Sequence, residues 1–208
     1  LSLKTMHKEI LSEKQRELLP LIRQFSREYY LAEETAVALH IGHRRSIDFD
    51  LFKFSFVHHK KNIDKISGAK LPYEVTRRIA GQMNVTVGEV KITFLEYPFP
   101  INPDSKFENI IRLPDLIDLA AMKAYALGRR SKWKDYIDLY YILKEYYSIV
   151  EISRRATEIF GQLFSEKLFR AQLSYFDDVD YTETVDFMMP EISDYEVRRF
   201  LTEMSLDF

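Results

Sequence analysis

The chain has 208 residues, a formal net charge of −2, 46% hydrophobic and 14% aromatic residues, and no cysteine. That length and apolar content suit one domain, or one domain with a helical appendage, around a substantial core. The near-neutral charge does not mark the whole molecule as a polyanion binder, and the lack of cysteine excludes disulfides and thiolate metal sites. No run approaches the length of an apolar membrane span, and the first ten residues lack the apolar stretch of a signal peptide, so a cytoplasmic protein is expected.

In chain order, Ser12 and Gln15 have capping-box spacing and open a helix with Leu18, Ile22 and Phe25 on one face, which Pro20 should kink or break. Residues 29–31 suit a short strand, and residues 35–41 a helix that Gly42 ends in the left-handed conformation. A strand follows over residues 47–56. Residues 63–66 and 73–79 read as short helical pieces. Residues 82–95 read as two strands joined at Gly88-Glu89. Pro114 opens a helix closed by Gly128, and a second covers residues 132–146. Three more are expected near 152–160, 166–175 and 194–204. The expected class is α+β: a small mixed β-sheet core flanked by helices, residues 1–112 with the N-terminal helix, then a C-terminal helical bundle over residues 113–208. The bundle can also pack as one domain with the core.

Within the 47–56 strand lies Asp48-Phe49-Asp50. Alternate side chains of a strand share a face, so both acids would project to one side with Cα atoms roughly 6.5–7 Å apart. Two such acids repel unless a cation sits between them, and Mg²⁺ with a nucleotide's phosphates is the usual occupant. The competing reading is a solvated strand edge that carries two aspartates. Local basic clusters lie nearby in sequence: His43-Arg44-Arg45, His58-His59-Lys60-Lys61, Arg77-Arg78 and Arg129 to Lys134, whereas residues 176–208 are acid-rich. That asymmetry suits a polyanionic substrate across the first part of the chain, although any one cluster serves equally well as a solvated face. The five histidines show no metal-binding spacing on a helix.

Thr35, Ala36, Leu39, Gly42, His43, Arg44, Ser46, Asp48 and Asp50 together resemble the signature of the AbiEii/AbiGii toxin family of minimal nucleotidyltransferases, Gly-Gly-Thr-Ala-x-x-Leu-x-x-Gly-His-Arg-x-Ser-x-Asp-hydrophobic-Asp. Ala121-Met122-Lys123 and Lys134-Asp135-x-x-Asp138-Leu139 resemble the family's later motifs, and Tyr97-Pro98-Phe99-Pro100 has its look as well. The resemblance implies a nucleotidyltransferase core that moves a nucleoside monophosphate from an NTP onto an acceptor, such as RNA, a tRNA or a protein. It further implies a toxin with a cognate antitoxin protein; that no membrane partner is expected follows from the lack of an apolar span. Asp48 and Asp50 would bind Mg²⁺. Thr35, Arg44, Arg45, Ser46 and Lys123 would contact nucleotide phosphate, with Ser46 also shaping the turn before the strand. Lys123 would stabilise the departing pyrophosphate, and Asp135 would set the attacking hydroxyl or pair with a catalytic base, with Asp138 as a second acid. On residue chemistry alone, Lys123 reads equally well as a surface lysine, and Asp135 and Asp138 as partners of Lys134 or Arg130.

Two positions depart from the pattern. Glu33-Glu34 stand where the family has Gly-Gly, whose backbone can approach a triphosphate at a helix N-terminus. They are either ordinary acids at a helix start or additional metal-facing carboxylates. Thr93 occupies the strand position expected to carry a third acid, and neither Glu89 nor Glu96 is placed to replace it. An alternative reading is therefore a degenerate module that retains the fold to bind RNA, nucleotide or a partner protein.

Overall fold

The structure, a computed structural model, describes residues 6–127 and 129–207. The first five residues and Gly128, expected to close a helix, lie outside the described residues. The chain divides into two compact units, Leu1–Asp115 and Leu116–Phe208.

The first unit is built on a five-stranded mixed sheet. Ser12 and Gln15 form the expected capping box at the start of α1 (Glu13–Arg23), the backbone N–H of each donating to the side chain of the other. Pro20 does not break this helix. It lies on the exposed face less than one turn from the C-terminus, where the carbonyl it leaves unpaired can be hydrated. After α1 come β1 (Tyr30–Ala32), α2 (Glu33–Ile41), β2 (Phe49–Lys53) and α3 (His59–Gly68), then β3 (Tyr73–Ile79), β4 (Gln82–Val87) and β5 (Val90–Glu96). The strand order is β1-β2-β5-β4-β3. Only β2 and β5 pair in parallel; the other neighbours are antiparallel. A separate two-stranded ribbon joins β6 (Ser105–Phe107) to β7 (Ile111–Leu113).

The segment read as helical at residues 73–79 is an edge strand. Val75, Thr76 and Ile79 are β-branched, and the two-residue turn Ala80-Gly81 returns the chain into β4, with Ile79 opposite Gln82 and Gly81 at φ 75°. The next turn, Gly88-Glu89, is placed as expected. In β4, Met83, Val85 and Val87 are buried while the residues between them are half-buried, which is the alternation of a strand with one core face. On that core Phe25 and Tyr29 meet Phe94 edge-on, with ring centroids 4.8 and 5.3 Å apart.

α2 is buried almost throughout, and it ends at Gly42 with φ 71°. A Cβ there would come within 2.6 Å of the His7 ring, so conformation and space both call for glycine.

The second unit is helical: α4 (Leu116–Leu127), α5 (Trp133–Glu145), α6 (Ile149–Phe160), α7 (Glu166–Leu173) and α8 (Asp194–Ser205). Ser148 and Glu151 cap α6 reciprocally. Arg155 of α6 donates to both Asp118 oxygens of α4, at 2.5 and 3.2 Å, fixing one helix against the other. Among the described residues, no helix is long and apolar enough to cross a membrane.

Acid should expose one electrostatic tie in the first unit. Glu28 lies 2.8 Å from Lys65 and 3.0 Å from Lys61, and chiefly the Lys65 hydrogen bond lowers its carboxyl pKa to about 2. Because the folded value is depressed, its stabilisation is present above the unfolded carboxylate range and is lost as pH falls through it toward 2. In urea titrations, wild type should lose about 1–3 kcal/mol relative to Glu28→Gln between neutral pH and pH 2. Parallel losses in both proteins would remove this role from Glu28.

Candidate active site

Asp50 is the second residue of β2, with Ala32 opposite it on β1 and Thr93 opposite it on β5. Thr93 faces Asp50 in that register, and its hydroxyl pulls the Asp50 carboxyl pKa down. The position expected to carry a third acid is thus filled by a neutral donor at Asp50's side. Asp48 precedes the strand, which begins at Phe49 rather than at residue 47. Lys91, two residues before Thr93 and so on the same face of β5, brings its ammonium to 3.9 Å from the Asp48 carboxylate. No sequence motif pointed to Lys91; its only signal was that in-phase spacing from Thr93.

The approach to β2 is tied to α2 and α1. The buried Thr35 hydroxyl hydrogen-bonds with Ser46 Oγ at 2.8 Å and donates to the Asp48 carbonyl at 2.5 Å. Gln15 reaches the same carbonyl at 3.5 Å. Thr35 and Ser46 therefore hold the backbone that presents Asp48. Arg44 is fully buried, and its Nη1 donates to Glu34 at 3.3 Å and to the Arg45 carbonyl at 3.2 Å. A buried guanidinium needs such partners, so Glu34 serves as a counter-ion for Arg44. Arg45 is half-buried and donates to the Glu9 carbonyl at 3.4 Å, and His43 is fully buried.

Glu33 opens α2 at φ 56°. This is the left-handed region that glycine enters freely and that costs a side-chain-bearing residue on the order of 1 kcal/mol or more. The backbone thus keeps the shape that glycine favours although the residue is glutamate.

The carboxylates act on one another. Burial, then Glu33, Glu34 and Asp48, push the Asp50 pKa up to about 7 against the pull of the Thr93 hydrogen bond. Like charge gathered around a half-buried acid favours its neutral form unless a cation balances it. Asp48 and Asp50 are the acids available to such a cation. Among the described residues, no group of three or more histidine or acidic side chains is arranged to hold a metal.

The later motif residues come together inside the helical unit. Lys123 of α4 places its ammonium 2.5 Å from Asp135 and 3.0 Å from Asp138, both on one face of α5, and all three are buried. Arg130 adds a contact to Asp135 at 3.0 Å, whereas Lys134 pairs with Glu183. Burial would raise the Asp135 pKa, but Lys123 and Arg130 hold it below the usual carboxylate range. Lys123 is therefore a buried partner of two aspartates and not a surface lysine.

Comparison with known proteins bears on both units. The family model described as "Nucleotidyl transferase AbiEii toxin, Type IV TA system" matches residues 35–207. A curated relative, an uncharacterized protein of Aquifex aeolicus (strain VF5), is 26% identical over 202 residues, spanning 91% of this chain and 95% of its own. In fold, the chain is similar to MenT4, a nucleotidyltransferase toxin from Mycobacterium tuberculosis H37Rv, with TM-score 0.60 and 11% identity over 92% of this chain and 81% of that one. It is also similar to JHP933 from Helicobacter pylori, with TM-score 0.55 and 17% identity over 94% and 91% of the two chains. With the family match covering most of its length, the chain belongs to the AbiEii nucleotidyl transferase toxin family.

Proposed function

We propose that this protein transfers a nucleoside monophosphate from a Mg²⁺-bound NTP to an RNA acceptor such as a tRNA. We further propose that it works in the cytoplasm as a toxin restrained by a separate antitoxin protein. Family membership and the nucleotidyltransferase toxin named among the structures of similar fold support the class. The observation that carries the chemistry is the placing of Asp50 on β2, two residues after Asp48, where burial first and then Glu33, Glu34 and Asp48 raise its carboxyl pKa.

Two carboxylates suffice for Mg²⁺, which usually keeps several waters and takes its remaining ligands from substrate phosphates. The donor set therefore fits one such ion, held by Asp48 and Asp50. Asp48 and Asp50 would hold the ion, which when bound would supply positive charge against the charge that develops as the P–O bond breaks. In the transfer, the acceptor hydroxyl oxygen bonds to the α-phosphorus, the α–β bridging P–O bond breaks, and pyrophosphate leaves with that electron pair. The hydroxyl proton passes to water. Thr93 orients the Asp50 carboxylate, while Thr35 and Ser46 fix the backbone at Asp48. The buried Lys123–Asp135–Asp138 cluster is assigned here to holding α4 against α5.

Glu33, Glu34 and Thr93 favour a second reading, a catalytically impaired module that binds RNA, nucleotide or a partner protein. Glu33 brings bulk and like charge to a helix start where glycine would admit a phosphate.

A label-transfer assay separates the two readings. With Mg²⁺, each α-labelled NTP and total tRNA, label should enter RNA and should vanish in Asp50→Ala. No transfer from any NTP by folded protein would favour the impaired module. Glu33→Gly should relieve backbone strain, raising stability by about 1 kcal/mol in urea titrations, and should tighten Mg·NTP binding. Transfer seen only in that variant would mark the natural chain as the impaired form. Lys123→Ala should cost the helical unit about 3–5 kcal/mol on thermal unfolding, because it strands two buried carboxylates. An unchanged Tm would return Lys123 to the list of catalytic candidates.

A further inference from the structure

Two grooves of the first unit have Lys61 in both linings. The first, of about 650 Å³, is lined by Phe56, His58, His59, Lys60, Lys61, Asp64 and Arg78. It brings Arg78 of β3 beside the basic cluster at the start of α3. The Phe56 ring is 53% exposed, and the rings of His58 and His59 stand 5.4 and 6.4 Å from it. Arg78 donates to His59 at 3.4 Å.

The second groove, of about 840 Å³, shares Lys61 with the first. Arg23, Arg27, Lys106 and Arg112 line it, and among the described residues no carboxylate pairs with any of the four. Its two acids are already engaged, Glu28 by Lys61 and Lys65 and Glu108 by Lys8. Lys106 and Arg112 are direct partners across the β6–β7 ladder. Like charges opposed in that way destabilise a ribbon unless an anion lies against them.

We propose that these two neighbouring grooves together bind single-stranded RNA. Its phosphates would follow Arg23, Arg27, Lys106 and Arg112, and an unstacked base would lie on Phe56. An acidic protein segment would satisfy the cations but would leave the exposed aromatic ring unused. A nucleobase uses both, because it offers a flat face for stacking beside its own phosphate. That the RNA is the acceptor rests on the transferase reading above. Its binding does not, because it can be measured without NTP or metal in Asp50→Ala protein.

The test uses that full-length protein and a short end-labelled single-stranded RNA, with fluorescence anisotropy followed across a salt series. Lys106→Gln with Arg112→Gln should weaken binding about tenfold and reduce the slope of log K against log salt by about 1 to 1.5. Phe56→Ala should weaken it roughly tenfold with the slope unchanged. All three side chains are exposed, so thermal unfolding should show intact folds. The proposal is overturned if RNA does not bind, or if both variants bind it as tightly as their parent. It is equally overturned if a poly-glutamate peptide binds as tightly as RNA and Phe56→Ala has no effect, an outcome that points to an acidic protein partner.

Discussion

The parallel pairing of β2 with β5 is the constraint on which the first unit depends. Those strands are joined through α3 and the β3–β4 hairpin, so their register is set by distant parts of the chain rather than by a single turn. That register puts Thr93 against Asp50 and Lys91 near Asp48. A shift of one residue would turn Asp50 toward the core occupied by Phe94 and bring Leu51 to the polar face. The aromatic contacts of Phe94 with Phe25 and Tyr29 oppose such a slip. Apolar packing on one face of the sheet thus holds the acids in place on the other.

The two buried electrostatic systems behave differently. Around Lys123 the charges close on themselves, with one ammonium, two carboxylates and a contributing guanidinium from Arg130. Around Asp50 the balance differs: Arg44 pairs with Glu34 and Lys91 approaches Asp48, yet burial, Glu33, Glu34 and Asp48 still raise the Asp50 pKa. A closed network stiffens a helix pair, whereas an unbalanced one is costly in the absence of a ligand. This contrast is the physical ground for assigning chemistry to one and support to the other.

Local signals made much of the fold readable. Ser12 with Gln15, Gly42 and Gly88 each mark a boundary that the chain adopts, and the helices after residue 115 follow their apolar spacing. The edge strand β3 was not readable in this way, because Ala80-Gly81 is a weaker turn signal than Gly88-Glu89 and its residues have little core face to create alternation. The motif pointed to Asp48, Asp50, Thr35 and Ser46, but no spacing rule could show that Arg44 is buried against Glu34 or that Lys91 approaches Asp48. Both are tertiary pairings, and a run such as His43-Arg44-Arg45 looks the same in sequence whether it faces water or the core.

The edge strand has a consequence for life at high concentration. β3 leaves one row of backbone groups open, which is a template for another chain's strand. Its pairing with β4 is irregular between Val75 and Arg77, and Arg77 and Arg78 follow in succession, so a positive charge projects from each face. A second copy arriving edge to edge would bring those charges against their own kind. Arg78, which lines the basic groove, thereby also opposes the addition of another chain's strand at this edge.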